Sequence, residues 1–453
     1  MEIKDIVELQ RSYFSTNQTK KIEFRKEMLN RLYMVIKKHE NEILLALHKD
    51  LGKSRTEGYM TEVSIIYGEI NNARKNLERW AKPKRVAGTI ATFPSANYIY
   101  KEPYGVTLIL APWNYPFNLS MAPLVGAIAA GNTAIIKCSK SSIHTANLIQ
   151  QLINENFPSE YLYCADPKVD YDDIITRKYD YIFFTGSPNV GKTIMRAAAE
   201  HLTPVSLELG GKSPCFVDAS ANLRIAAKRI VWGKLLNAGQ TCISIDYVLV
   251  DETVRAEFIN HLKEEIKSNY DNAQDMEGYP NIINRQHFDR LKGLIERAGD
   301  VWGGAVNDTT KKIAPAILPN ANFEQEIMEE EIFGPILPVI GYTDIDQAIK
   351  MVKERNKPLA CYIFTEQKAY ADKINAEVSF GGGCINDVIM HVSNHHMPFG
   401  GVGNSGMGGY HGKYSFDTFS HTKSVVKSYT AFDVPLRYAP FTEEKLAFLK
   451  KFL

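Results

Sequence analysis

The sequence predicts an α/β protein: two parallel-sheet α/β domains in tandem, plus a small separate β element. Three observations carry this. Short apolar strands recur roughly every 20 to 30 residues from residue 105 onward, with helical stretches between them. A second series of the same kind follows Gly211. The length, 453 residues, suits two or three domains.

Each element follows in order. "KIEFRKEMLNRLYMVIKKHENEILLALHKDLG" places Ile22, Met28, Leu29, Leu32 and Ile36 on one helical stripe, and Gly52 is its stop. "TEVSIIYGEINNARKNLERWA" is a further helix that ends before Pro83. "VAGTIATFPSANYIYKEPYG" is rich in β-branched and aromatic residues around a turn and reads as a hairpin over 86–103. The first strand series is "GVTLILAP", "TAIIKCS", "YLYCAD", "YIFFTGS" and "PVSLELGG". The second is "SPCFVD", "YVLVDE", "ILPVIGY", "ACYIFTE" and "GGGCIND", with helical segments such as "TVRAEFINHLKEEIKS" between. A cleft between the two layers is expected near residues 208–245. The ending "TEEKLAFLKKFL" is a short amphipathic helix with Leu446, Leu449 and Leu453 on one side. It reads as a tail docked on its own chain or a partner subunit rather than as a membrane-surface foot, because one short helix buries little apolar area.

Composition excludes several roles. The chain has 53 basic and 52 acidic residues, a formal net charge of +1, and no basic block interleaved with aromatics. Neither nucleic acid nor an anionic membrane is called for. The N-terminus "MEIKDIVELQ" is charged and unlike a secretory signal. The longest apolar window, "LSMAPLVGAIAAGNTAII", is interrupted by Pro123, Gly126, Gly131, Asn132 and Thr133, so no integral membrane anchor is expected. Six scattered cysteines argue against a disulfide frame or a zinc site, predict no metal, and fit a reducing cytoplasm.

Several residues are placed to carry chemistry, each with a plain alternative. "YIFFTGSPNVGK" runs from a strand through Gly186 and Gly191 into a helix, where backbone amides and the helix N-terminus favour a phosphate; any βα turn also uses glycine. Lys137 ends an apolar strand and either snorkels to the surface or reaches a ligand at the strand's carboxyl end. Glu208 lies inside an apolar strand before Gly-Gly. It is a solvated strand end or, if buried, a general base. Asn114, between Trp113 and Tyr115, is a turn former or an amide donor to a developing oxyanion. Cys242 sits in "LNAGQTCISIDY", a small polar setting unlike those of Cys215 and Cys361, which favours an accessible thiol. In "EEEIFGPILPV", Glu331 is part of a solvated acidic face, or it binds sugar hydroxyls while Phe333 stacks on a flat ring.

Taken together and in this order, Asn114, Lys137, Gly186 to Gly191, "LELGGKSP", "GQTC" and "EIFGP" resemble the aldehyde dehydrogenase superfamily, over residues 20–440. The ending "PFGGVGNSGMGGYHGKYSFDTFSH" is similar to its class 3, fatty and aromatic aldehyde branch. The resemblance implies a Rossmann-like NAD(P)-binding domain over 1–85 and 104–210 and a catalytic domain over 211–415. Residues 86–103 and 416–453 would form the oligomerisation hairpin, strand and tail of a homodimer.

It further implies that Cys242 is the nucleophile, Glu208 the base that activates water, and Asn114 an oxyanion donor with the Cys242 backbone N–H. NAD or NADP would lie along Trp113, Lys137, Lys140, Gly186, Ser187, Gly191, Leu209, Gly210, Glu331 and Phe333. Lys137 and Glu331 would hold the riboses, Gly186 and Ser187 the pyrophosphate. Tyr115, Leu119, Trp232 and Leu236 would line the aldehyde channel. The chemistry suits these types. Thiolate attack makes the aldehyde carbon tetrahedral, collapse of the oxyanion expels hydride and leaves a thioester, and water then releases the acid.

One departure bears on the cofactor. Related NAD-preferring enzymes often carry a glutamate where this chain has Lys140. An ammonium attracts a 2′-phosphate, so NADP is expected to serve at least as well as NAD. Two other functions compete: a thiol esterase using Cys242 and Glu208, and a non-catalytic binding protein on the same fold. The cofactor residues argue against the first, the intact Asn, Glu and Cys set against the second.

Overall fold

The computed structural model describes residues 2–452. Its framework is two parallel-rich sheets and two small antiparallel ones, of three strands and of two. The first large sheet runs Gly406–Met407, Val205–Glu208, Tyr181–Thr185, Val106–Leu110, Thr133–Lys137, Leu162–Cys164. All its pairs are parallel except the first. The second runs Trp302–Gly303, Ala316–Leu318, Ile336–Tyr342, Tyr247–Asp251, Pro214–Val217, Ala360–Phe364, Gly382–Ile385, again with one antiparallel pair at its edge. The five strands expected in each series are all present. The strands of the first series are almost wholly buried, as sheets covered on both faces require.

Strand order fixes where a ligand can bind. Along the first sheet the chain leaves Val106–Leu110 in one direction and later returns on its other side through Tyr181–Thr185. The order reverses between these two strands, and their carboxyl ends open a crevice. The Trp113–Asn114 turn and Gly186–Ser187 follow those two ends.

The apolar window 119–136 is not one segment. It splits into the helix Asn118–Ala130, buried at every position from Leu119 to Ala130, and the strand Thr133–Lys137, with Gly131 in the left-handed region between them (φ 95°). No helix among the described residues is long and apolar enough to cross a membrane.

Some boundaries differ from the sequence reading. The first long helix is two, Ile22–Lys38 and Glu40–Leu51, broken at His39; Gly52 does cap the second (φ 68°). The hairpin begins at Lys84, and its strand Ser95–Pro103 pairs in the same chain with Ser420–Ser428. Residues 406–407 lie within the stretch expected to be catalytic, yet they pair with Leu207 and Glu208 in the first sheet. The tail helix is Glu443–Phe452. Its Leu446 is 43% exposed, so this chain does not bury the expected stripe by itself. Leu453 lies outside the described residues.

Candidate active site

Glu208 ends the strand Val205–Glu208. Its backbone is held on both sides: its carbonyl accepts from the Gly186 N–H at 3.0 Å, and Gly406 is its partner across the sheet. The side chain is 2% exposed, and neither carboxylate oxygen has a hydrogen-bond partner. Burial alone therefore pushes its carboxyl well above the ordinary carboxylate range. The solvated strand-end alternative is excluded.

Cys242 lies in the turn after Leu236–Gly239, where Asn237 and Ala238 both take left-handed backbone (φ 52° and 50°). That geometry is pinned by hydrogen bonds. The Asn237 side-chain amide donates to the carbonyls of Asn114 (2.8 Å) and Gln240 (3.1 Å), and the Asn237 N–H donates to Glu57 (2.7 Å). Cys242 is partly exposed. Its thiol is pushed up to about 12, first by burial, then by the charges of Glu331 and Glu208. Cys384 is also partly exposed, and the other four cysteines are buried.

Asn114 is buried and faces the same loop: its Nδ2 donates to the Gln240 carbonyl at 3.1 Å. An amide nitrogen carries two hydrogens, so one remains for a substrate oxygen. Tyr115 shares a 2.6 Å hydrogen bond with the Thr241 hydroxyl, which in turn donates to the Leu236 carbonyl at 3.4 Å. Leu119 is buried; Trp232 and Leu236 are half-buried against the core. The four expected channel residues thus come from two segments, 115–119 and 232–236, that Thr241 ties together.

The expected cofactor residues follow the crevice. Lys137 is 2% exposed, which excludes snorkelling; its Nζ donates to the Pro167 carbonyl at 3.1 Å and stands 5.2 Å from the Tyr171 ring centre. Lys140 is exposed, at the start of the short turn Lys140–Ser142. Ser187 caps the helix Pro188–Ala199, with Pro188 opening its first turn. Gly191 lets that helix close on its neighbour: a Cβ there would lie 2.8 Å from Leu209 Cδ2. A side chain at Gly210 would collide with the Glu331 carboxylate.

Glu331 is lifted to about 8, first by burial and then by Asp246, against the opposing Gly211 N–H, Lys212 and Lys234. Phe333 has φ +53°, a conformation rare for an aromatic residue, and packs edge-on to Trp113 at 5.4 Å.

Several neighbours went unnoticed in the sequence. The Lys212 Nζ binds Asp246 (2.5 Å) and the carbonyls of Ile327 and Glu330, and Asp246 accepts from the Ile332 N–H at 3.0 Å. Arg290 donates to the Ile332 carbonyl at 2.6 Å. These bonds grip both sides of Glu331 and hold the strained Phe333. Lys234 is buried with an unpartnered ammonium, lowered to about 8 by burial. His287 sits 5.3 Å from Trp113, and buried Tyr410 lies near Glu208 and Cys242. Only the lysine after Gly-Gly in "GGKSP" gave a signal. No group of three or more His, Cys, Asp or Glu able to hold a metal ion occurs among the described residues.

A dinucleotide fits this crevice: a capped helix N-terminus for phosphate, the edge-on pair Trp113 and Phe333, and a buried lysine at a strand's carboxyl end. Comparison with known proteins agrees. The pattern of the aldehyde dehydrogenase family matches residues 1–425. The chain belongs to that family. It is 46% identical to the 4,4'-diaponeurosporen-aldehyde dehydrogenase of Staphylococcus aureus, over 98% of this chain and 97% of that protein. It is 43% identical to the dimeric NADP-preferring aldehyde dehydrogenase of Rattus norvegicus, over 94% and 95%. Among solved structures, the substrate-bound state of Staphylococcus aureus AldH superposes with a TM-score of 0.97 at 44% identity, covering 100% of this chain and 99% of that one. The enzyme is an NAD(P)-dependent oxidoreductase acting on aldehydes.

The raised thiol makes a prediction for the free enzyme. Labelling of Cys242 by iodoacetamide, read by peptide mass mapping so that Cys384 is scored apart, should accelerate about tenfold per pH unit from about pH 7 to about pH 10. A plateau below about pH 9 would contradict a thiol held up by burial.

Proposed function

We propose that the enzyme oxidises medium- or long-chain aliphatic or aromatic aldehydes to carboxylic acids through covalent intermediates on Cys242, and that it uses NADP at least as well as NAD. The observation that carries this is Glu208: a buried carboxyl with no partner of its own, close enough for its charge to be felt at the thiol.

In this reading Cys242 gives its proton to solvent and attacks the aldehyde carbon as the thiolate. The free hydrogen of Asn114 Nδ2 and the Cys242 backbone N–H bind the resulting oxyanion, each donor contributing about 3 kcal/mol. The dinucleotide, when bound, supplies the nicotinamide that accepts hydride. Trp113 and Phe333 would flank that ring, Lys137 and Glu331 would hold the riboses, and Gly186 and Ser187 would receive the pyrophosphate. Gly191, Leu209 and Gly210 shape the wall behind it, and Lys140 meets a 2′-phosphate. Glu208 then takes a proton from water as the thioester is hydrolysed. Its high pKa suits a group that must accept protons near neutrality.

Tyr115, Leu119, Trp232 and Leu236 supply mostly apolar walls, which suits aldehydes with sizeable apolar bodies. Residues 1–85 and 104–210 act as the cofactor domain and 211–415 as the catalytic domain, with residues 406–407 lending an edge strand to the former. A homodimer is supported by the strand Ser420–Ser428, exposed at every position after Ser420 and open along one edge, and by the rat relative's description as dimeric. Six unpaired cysteines suit a reducing cytoplasm.

A steady-state screen of aldehydes, including the 4,4'-diaponeurosporen-aldehyde named for the staphylococcal relative, tests the substrate class. Apolar aldehydes should turn over and Cys242→Ala should be inactive. Turnover of small charged aldehydes alone would overturn the assignment. For the cofactor, kcat/KM with NADP should equal or exceed that with NAD, and Lys140→Glu should shift the ratio toward NAD. A preference of more than about tenfold for NAD in the parent enzyme refutes the role of Lys140.

A further inference from the structure

Lys53 and Glu62 are remote in sequence from every strand end, yet both side chains are fully buried, with Nζ 2.6 Å from Glu62 Oε1. Removing two charges from water costs more than their attraction returns unless every lone pair and proton finds a partner, so such a pair is a poor device for stability alone. Here the remaining bonds converge on one short segment, 114–118. Lys53 Nζ donates to the Asn114 carbonyl at 3.1 Å and stands 4.0 Å from the Tyr115 ring centre. Glu62 Oε2 accepts from the backbone N–H groups of Phe117 (2.9 Å) and Asn118 (3.1 Å). Pro116 has no N–H to offer.

The opposite side of the same segment faces the nucleophile. The Asn114 carbonyl that receives Lys53 also receives the Asn237 side chain at 2.8 Å, and Asn237 belongs to the turn leading to Cys242. The Tyr115 hydroxyl meets Thr241, the residue before the thiol. One peptide oxygen therefore joins the buried ammonium to the loop that carries the sulfur, and the side chain on that peptide is the amide expected to bind the oxyanion.

We propose that Lys53, held in place by Glu62, is a positioning residue for Asn114: by fixing the Asn114 carbonyl it orients the side-chain amide toward the aldehyde oxygen at Cys242. This rests on the reading of Asn114 as the oxyanion donor. Lys53 touches neither substrate nor cofactor. Its effect falls on the oxyanion step, so kcat should suffer while binding does not. Misplacing a donor by a fraction of an ångström is enough for a large loss of rate.

The test uses the full-length enzyme and the paired variant Lys53→Met with Glu62→Gln, which removes both charges of the pair together. Aldehyde kcat and KM, the NADP dissociation constant and the thermal midpoint are measured for the parent, the pair, Asn114→Ala and the triple combination. The pair should keep its NADP affinity, hold KM within about twofold and lose about tenfold or more in kcat. The triple variant should be no slower than Asn114→Ala, because removing the donor removes what Lys53 positions. Parental kcat in the pair, or losses that simply multiply in the triple variant, would overturn the proposal. A slow Asn114→Ala beside a fast pair sinks the positioning role alone; Asn114→Ala at the parental rate sinks the oxyanion reading and this proposal with it. If the pair does not fold, Glu62→Gln alone decides. It frees the ammonium from its anchor, and an unchanged kcat would refute the inference.

Discussion

The site is organised around the cost of keeping ionisable groups out of water. Glu208 has no donor for either carboxylate oxygen, so desolvation pushes its carboxyl well up. The same low polarity raises the Cys242 thiol to about 12 and Glu331 to about 8. Three acidic groups thus share one crevice in which burial disfavours the anion of each. A cation entering the crevice or a proton leaving it changes the energy of every other group there, as the proposed nucleophile and base acting in sequence require.

That state is possible because rigid elements bring in each group from outside the crevice. Glu208 ends a buried strand locked between Gly186 and Gly406. Cys242 and Asn114 ride on loops that are bonded to each other rather than to solvent, through Asn237 and Gln240. Glu331 hangs from a segment clamped by Lys212, Asp246 and Arg290. The two large sheets contribute strand ends and loops; the helical N-terminal region contributes the ion pair beneath Asn114. None of these parts would hold the geometry alone.

The sequence made the sheets legible because buried strands are short, apolar and regularly spaced, and helices between them have a different period. It also made Cys242 legible, since a thiol among small polar residues needs a reason. Long-range pairing was not legible. Gly406–Met407 is two residues long and carries no strand pattern, yet it lies beside Glu208. Lys53 looks like a solvated charge past a helix stop, and Glu62 and Lys234 like charges on solvated helix faces, because burial of a charge is decided by what packs over it and not by its neighbours in the chain. The break at His39 was hidden by an apolar stripe that continues through it. Gly191 read as a phosphate glycine, whereas its contact with Leu209 shows that close packing also demands it.

The central claim is that Cys242 carries the acyl group and Glu208 releases it. The direct measurement is mass spectrometry of the Cys242 peptide after Glu208→Gln enzyme is mixed with aldehyde and NADP and quenched in acid. The account predicts one equivalent of NADPH formed rapidly and an acyl mass on Cys242 that persists. Steady turnover at the parental rate, or NADPH formation with no mass added to Cys242, would contradict it.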